Sequence, residues 1–287
     1  YAVKSIRICI QNMRKWIGNS RIIVSLIVIL LFTYLYTKGL WKISDYTGEK
    51  LSPYIFPFLT TYRYMKILYL FPVIMIFSDA PFIDSNQQFV MVRSGRLSWG
   101  IGQMLYIVVG SFCYTMFMLL SSIIVNIGHI QLDTSWGKGL ILAATTNLTS
   151  ALGIQYDTVK VTGSIVRYYT PAQAMLWSFV FLWMICTILG LIIYDLNILF
   201  KSNAVGVLVT GFMVFFTAIV DEVQQFMWFS PVTWSSLNNI DVAKTTSLPS
   251  FYFVLYMYSG AIVILFIMGA LLSRSRRFSF EIKNNIQ

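Results

Sequence analysis

Six long apolar segments alternate with polar stretches along the chain. They cover residues 21–40, 57–77, 104–127, 172–194, 204–220 and 251–272. A helix rises about 1.5 Å per residue, so roughly 20 apolar residues cross the hydrocarbon core of a bilayer. The pattern predicts an all-α polytopic membrane protein with six transmembrane helices, arranged as a single transmembrane domain over residues 1–287.

The second segment, 57–77, differs from the others because it contains Arg63, Lys66 and Pro72. A charge at the bilayer centre costs about 2.5–3.5 kcal/mol on insertion scales, and a proline inside a helix bends it. The two cations either extend to the headgroups or face an internal cavity where they contact a substrate. Both interpretations stay open here. These three residues, with Asp221 and Glu222 after the fifth segment, are candidates for a translocation path.

Residues 2–17 have the pattern of a basic amphipathic helix. One face carries Ala2, Ile6, Cys9, Ile10, Met13, Trp16 and Ile17, and another carries Lys4, Arg7, Arg14 and Lys15. This pattern is typical of a helix lying in the membrane interface, and a soluble flanking segment is the alternative. Residues 22–36 lack a small-residue cleavage site, so they are interpreted as a retained anchor. Because the first residue is Tyr1 rather than Met, we expect N-terminal sequence to be missing.

The polar stretch 78–103 is the main interruption between the second and third segments. It opens with turn residues that end in Pro81, continues with a helix-compatible run at 86–93, and breaks at Gly95. Trp99 follows at a position that suits an interfacial anchor. We predict that a soluble partner pushes on the membrane part through this stretch.

Three other connections between the apolar segments, and one aromatic stretch, are assigned from their polarity and composition. Residues 42–56 and 128–171 are expected to be outer loops, and residues 195–203 a short turn. Residues 223–249 are rich in aromatic side chains around Pro231, and we expect that they do not cross the membrane. Such a stretch is typical of an interfacial or re-entrant segment, here placed before the last span.

Composition supports the membrane assignment. The 287-residue chain is 57% hydrophobic and 11% charged, whereas soluble domains carry about 25% charged residues. Its mean hydropathy is +0.71. The net charge of +10 would suit nucleic acid, but the basic residues cluster at segment ends, as topology signals do. We therefore expect the lipid bilayer as a partner and no nucleic acid.

The distribution of basic residues predicts the orientation. With six spans, both termini, residues 78–103 and residues 195–203 share one side, which holds twelve basic and four acidic residues. The other side holds nine basic and seven acidic residues. The first side is therefore expected to be cytoplasmic, and the protein to be a multi-pass protein of the cell membrane with both termini inside.

The sequence offers little catalytic or cofactor chemistry. It contains one histidine, His129, and lacks the patterns HExxH, GxSxG and GxxxxGK[ST]. The cysteines Cys9, Cys113 and Cys186 show no paired spacing. We therefore expect no enzyme activity, metal or cofactor on this chain.

In architecture the chain resembles the transmembrane permease subunit of type-2 ABC exporters. The resemblance rests on four features: the amphipathic helix at 2–17, the short segment 86–96, the aromatic segment 226–237 and the basic tail after the sixth span. They look like the family's connecting helix, coupling helix, re-entrant outer helices and C-terminal end. The chain departs from the family in its long outer loop 128–171.

The resemblance implies a function and partners. Such permeases work as dimers, with a second copy or a related permease, and with cytoplasmic ABC ATPase subunits that carry ATP and Mg. The segment 86–96 would couple to the ATPase through Gln88, Phe89, Arg93 and Arg96. The cargo implied is an amphipathic or hydrophobic compound, such as a peptide, an antimicrobial or a lipid-linked molecule, moved out of the cell.

Two other functions stay open. One is a non-transporting membrane scaffold or sensor that acts through the outer loop 128–171. The other is a secondary transporter or channel, which the absence of a clear internal repeat disfavours.

Overall fold

The computed structural model describes residues 2–83, 87–146, 148–154, 159–220, 223–243 and 247–275. These residues form helices joined by turns, with two isolated β-bridges and no strand among them. The prediction of an all-α fold is confirmed for this part of the chain.

Twelve α-helices lie in the described ranges. They are α1 (Ala2–Arg14), α2 (Ser20–Thr37), α3 (Gly39–Thr47), α4 (Arg63–Phe77), α5 (Gln87–Ser94), α6 (Arg96–Ile124), α7 (Gly137–Thr145), α8 (Leu148–Ala151), α9 (Gly163–Tyr168), α10 (Pro171–Phe200), α11 (Asn203–Val220) and α12 (Phe251–Ser275). Short 3₁₀ turns lie at Lys15–Gly18, Phe56–Phe58, Ile127–His129, Gln224–Phe229, Pro231–Ser235 and Leu237–Asn239.

Five helical stretches in the described residues are long and apolar enough to cross a membrane. They are Ser20–Thr47, Arg96–Ile124, Pro171–Phe200, Asn203–Val220 and Phe251–Ser275. The fold is therefore that of a helical membrane protein.

The second expected span, 57–77, is not one continuous helix. Pro57 lies in a 3₁₀ turn, and Tyr62 is extended, with φ −88° and ψ 127°. The helix starts only at Arg63, and its 15 residues rise about 22 Å, less than the hydrocarbon core of a bilayer. Residues before it, including Phe58 and Leu59, are buried without being helical.

Two other spans extend beyond their predicted bounds. α6 begins at Arg96 rather than at 104, directly after Gly95. α10 continues through Asp195 to Phe200, where the expected span ended at 194 and a turn was predicted. A polar side chain does not end a helix when neighbouring helices cover it, and Asp195 is fully buried.

α2 and α4 run in opposite directions. Near the start of α2, Arg21 forms an ion pair with Asp79, which follows α4. Near the end of α2, the hydroxyl of Thr33 lies 3.2 Å from that of Tyr69, which is close to the start of α4.

α6 runs in the same direction as α2. The hydroxyls of Thr33 and Ser121 are 3.3 Å apart, and the side-chain amide of Asn126 donates to the Thr37 hydroxyl at 3.2 Å. Two parallel helices need a return path between them, and α4 provides it.

The last three long helices also alternate in direction. α10 and α12 are parallel, because Trp177 contacts Phe251 near their starts and the Tyr194 hydroxyl lies 2.8 Å from Ser273 near their ends. α11 follows α10 after two residues and therefore returns.

One end of the bundle thus gathers α1, α5, the α10–α11 turn and the end of α12. At this end the Asn197 side chain donates to the Ala80 carbonyl oxygen at 2.8 Å. The opposite end holds α3, α7, α9 and the turns of residues 224–239.

The described residues between 128 and 171 do not form the polar loop that was expected. They contain α7, α8 and α9, and they bury Trp136, Leu140 and Ile165 in the main core. The Trp136 indole donates to the Tyr169 carbonyl oxygen, and Lys138 forms an ion pair with Glu49. These contacts make a folded cap over one end of the bundle.

Candidate functional site

α5 is a separate eight-residue helix set at an angle to α6 by Gly95. Gly95 has φ +86°, which side chains other than glycine rarely adopt. The chain therefore turns there, and α6 begins at the next residue. The predicted break after residue 94 lies at this turn.

Buried contacts hold α5 against the start of α6. The Trp99 indole N–H donates to the Gln87 side-chain oxygen at 2.7 Å, and both side chains are buried. Met91, Trp99 and Ile8 of α1 form a small apolar cluster. The expectation that Trp99 is an interfacial anchor is therefore wrong, because its ring is fully covered by α1 and α5.

The outer face of α5 is apolar and exposed. Phe89 is 75% exposed and Val92 is 88% exposed, and their spacing places them on one side of the helix. Arg93 and Arg96 are exposed beside them. The structure thus brings together three of the residues predicted for coupling, while the side chain of Gln88 lies outside the described part. Sequence reasoning missed Val92, which the spacing from Phe89 could have indicated.

α1 presents three distinct faces. Ser5, Ile8, Cys9 and Asn12 face the protein, with Ser5 donating to the Ser98 carbonyl oxygen at 2.9 Å and Asn12 to Gln103 at 2.7 Å. The exposed apolar residues form a second face, made of Val3, Ile6, Ile10 and Ile17. The basic residues form the third, made of Lys4, Arg7, Arg14 and Lys15. A helix with one apolar and one basic open face suits the membrane interface.

Cys9 is the one cysteine on α1, and it is buried against α6. Burial raises the pKa of its thiol, with a smaller contribution from Cys113. It therefore has little thiolate, the form that reacts.

A basic groove of about 320 Å³ separates α1 from α5. Its charged lining residues are Lys4, Arg7 and Arg93, without an acidic residue among them. The Lys4 ammonium donates to the Arg93 carbonyl oxygen at 3.3 Å. Arg93 lines the groove and directly follows Val92 in α5. We name the groove and the exposed pair Phe89 and Val92 together the coupling surface.

The two cations of α4 differ in their surroundings. Lys66 is fully buried and donates to the Thr233 carbonyl oxygen at 3.4 Å. It therefore does not extend to the headgroups. Arg63 is half-buried, donates to the Ala218 carbonyl oxygen at 3.4 Å and lies 4.9 Å from the Tyr64 ring centroid.

The other translocation candidates are separated from these cations or are not described. Pro72 is buried inside α4, more than a turn beyond Lys66. Asp221 and Glu222 lie outside the described residues. Sequence reasoning missed Asp195, a buried carboxylate in α10 whose two oxygens have no hydrogen-bond partner among the described residues.

The described part of the chain holds no group of three or more histidine, cysteine, aspartate or glutamate side chains that could hold a metal ion. No family model, curated protein or solved structure matches the chain.

Proposed function

We propose that the chain is the permease subunit of an ATP-driven exporter and that it binds cytoplasmic ABC ATPase subunits through the coupling surface. The observation that supports this is the exposed pair Phe89 and Val92, carried by a short helix that is itself held by buried contacts. Exposed apolar residues on a fixed helix, with cations beside them, suit a protein partner that offers an apolar pocket and carboxylates.

In this proposal the bundle crosses the cell membrane six times. The five long apolar helices are joined by α4, which returns between the parallel helices α2 and α6. Residues 224–239 form the re-entrant segment, since Val232 and Trp234 are buried against the spans. Both termini and α5 then lie in the cytoplasm.

Because α5 is held against α6 and α1, a movement of α5 is transmitted to both helices. ATP and Mg act on the partner ATPases, whose closure moves α5, and the Trp99 and Met91 contacts carry that motion to α6 and α1. The partner shifts the population of permease states only if it contacts two states differently. The permease works with a second copy of itself or a related permease.

The translocation path is proposed along α4. Arg63 and Lys66 lie against the end of α11 and the segment around Thr233, where three elements meet. Buried cations in a membrane bundle commonly mark a substrate path. Asp221 and Glu222 belong to this proposal by their position in the sequence. The cargo proposed is an amphipathic or hydrophobic compound.

The proposal is tested by gentle purification of the tagged chain from its native membrane, followed by an ATPase assay. We expect a nucleotide-binding ATPase in fixed ratio, lost when Phe89 and Val92 are both changed to alanine. The matched control is Leu132→Ala, which removes an exposed apolar side chain at the other end of the bundle. A stable chain that never carries an ATPase would overturn the proposal.

One observation favours a second function, a non-transporting scaffold or sensor. Trp136 and the helices α7 and α9 pack into a cap over one end of the bundle, which is more structure than a connection needs. This function predicts that the chain binds an envelope partner through the cap and is stable without any ATPase.

A further inference from the structure

The groove between α1 and α5 has basic side chains on both of its walls. On α1, Lys4, Arg7 and Gln11 follow one another at spacings of three and four residues, so they form one stripe along the helix. On α5, Arg93 lies in the last turn, and Ser94 follows it in the lining. The volume of about 320 Å³ is near the lower end of the range for small-molecule sites.

No described carboxylate neutralises this charge. Asp79 and Glu49 form the ion pairs between described side chains, and their partners lie outside the groove. Asp195, the other described carboxylate at this end of the bundle, is fully buried. The Lys4 ammonium donates to the Arg93 carbonyl oxygen, which is neutral, so this contact leaves the charge of Lys4 in place. The groove therefore suits an anionic ligand.

An exposed apolar stripe of α1 borders the groove. Its members Val3, Ile6 and Ile10 are exposed, and each directly precedes a member of the basic stripe in the sequence. A helix with adjoining apolar and basic faces lies at the boundary between the headgroups and the acyl chains, with its apolar face in the lipid. On a membrane surface, this arrangement places the groove at the depth of the lipid phosphates.

We infer that the groove between α1 and α5 binds the headgroup of an anionic membrane lipid. The lipid phosphate lies between Arg7 on one wall and Arg93 on the other, and Lys4 adds a third positive charge. Basic pockets beside membrane helices take anionic headgroups, and each Lys or Arg near the surface strengthens the attraction about fivefold. The acyl chains of the lipid lie in the bilayer beside Ile6 and Ile10.

The inference goes beyond the proposed function, because lipid binding requires only this chain and the bilayer. Phe89, Val92 and Arg96 do not line the groove, so they remain available to the ATPase. The two parts of the coupling surface then have different partners. A lipid that contacts both Arg7 and Arg93 bridges α1 to α5, and this bridge adds to the buried contacts that hold α5 in place.

The test measures lipid binding to the full chain in detergent by native mass spectrometry, with dioleoyl phosphatidylglycerol and dioleoyl phosphatidylcholine as probes. The two lipids have the same acyl chains, but only the first carries a net negative charge. We expect one phosphatidylglycerol to bind at least about tenfold more tightly than phosphatidylcholine. Equal affinity for the two lipids would overturn the inference. It would assign the groove to acidic side chains of the ATPase and leave the ATPase proposal untouched.

Substitutions locate the site. Arg7→Gln and Arg93→Gln should each weaken phosphatidylglycerol binding about fivefold and leave phosphatidylcholine binding unchanged. The matched control is Arg14→Gln, which removes an exposed cation of α1 outside the groove lining. Seven residues separate Arg14 from Arg7, about 10 Å along the helix, and charges farther apart than about 8 Å are largely screened at physiological ionic strength. An equal loss in all three variants would mean that diffuse surface charge, and not the groove, attracts the lipid.

A soluble competitor separates a membrane lipid from a free anion. Inorganic phosphate carries the charge without the acyl chains. We expect an excess of it to displace little phosphatidylglycerol, because the contacts of the acyl chains beside Ile6 and Ile10 add to the affinity of the lipid. Displacement by inorganic phosphate as readily as by free phosphatidylglycerol would show that the groove takes a soluble anion, and the lipid assignment would be wrong.

Discussion

Trp99 and Gln87 form a buried hydrogen bond, 2.7 Å long, that ties the short helix α5 to the start of α6. The helix has eight residues, too few to be stable alone in water. The exposed residues of the coupling surface are therefore held in place by this contact and by Met91 packed against Ile8.

Trp99→Phe removes the indole donor and leaves the Gln87 oxygen unpaired, at a cost of about 1–3 kcal/mol. We expect a lower melting temperature and weaker retention of the ATPase, measured by thermal denaturation and by copurification. Trp228→Phe is the matched control, because that indole donates to the Ser247 carbonyl oxygen at the other end. If both variants retain the partner equally well, the Trp99 contact does not position α5.

Gly190 lies at the closest approach of α10 to α4 and α6. A Cβ atom there would meet Ile107 Cγ2 at 2.5 Å and Phe77 Cδ2 at 2.9 Å. Gly190→Ala should therefore destabilise the bundle by about 1–3 kcal/mol through overpacking. Gly211→Ala in α11 meets nothing within 4 Å and should leave the melting temperature unchanged or slightly higher. Equal stability of the two variants would show that α10 packs against α4 and α6 less closely than these Cβ distances indicate.

Asp195 is buried with both carboxylate oxygens unpartnered among the described residues. A Cβ atom on Gly269 would come within 2.6 Å of it, so α12 covers it closely. Asp195→Leu replaces the unpartnered carboxyl by an apolar side chain of similar size, and we expect a gain of about 1–3 kcal/mol in unfolding free energy. Thermal denaturation in detergent measures this. A lower melting temperature would mean that the carboxylate has a stabilising partner in the membrane.

The proposed six-span topology predicts opposite accessibility for two exposed positions. Val92→Cys should react with a membrane-impermeant maleimide in inside-out vesicles, and Leu132→Cys, at a position 92% exposed, should react in intact cells. The unmodified chain is the control, since Cys9 and Cys186 are buried and Cys113 is partly buried. Labelling of both variants from the same side would contradict the six crossings.

The sequence pattern was sufficient to predict a helix whose bounds follow from its own length and apolarity. The expected span 204–220 and the helix Asn203–Val220 nearly coincide, because length and apolarity decide such a helix and the two-residue turn at Lys201 separates it from α10. The amphipathic helix was also visible, since its exposed apolar and basic faces follow the helical period.

The sequence pattern did not predict the burial of side chains that a neighbouring helix covers. Trp99 and Asp195 are amphipathic or polar residues near predicted segment boundaries, and each is fully buried because another helix covers it. The stretch 128–171 looked polar, yet Trp136, Leu140 and Ile165 within it are buried in the main core.

The most direct test of the account places a photoreactive amino acid at position 92, in place of Val92, and irradiates native membranes. The proposal predicts a cross-link to a nucleotide-binding ATPase, identified by mass spectrometry. The same amino acid in place of Leu132 should give no such product. An adduct at position 92 with lipid alone, or an ATPase adduct only at position 132, would contradict the claim that α5 receives the ATPase.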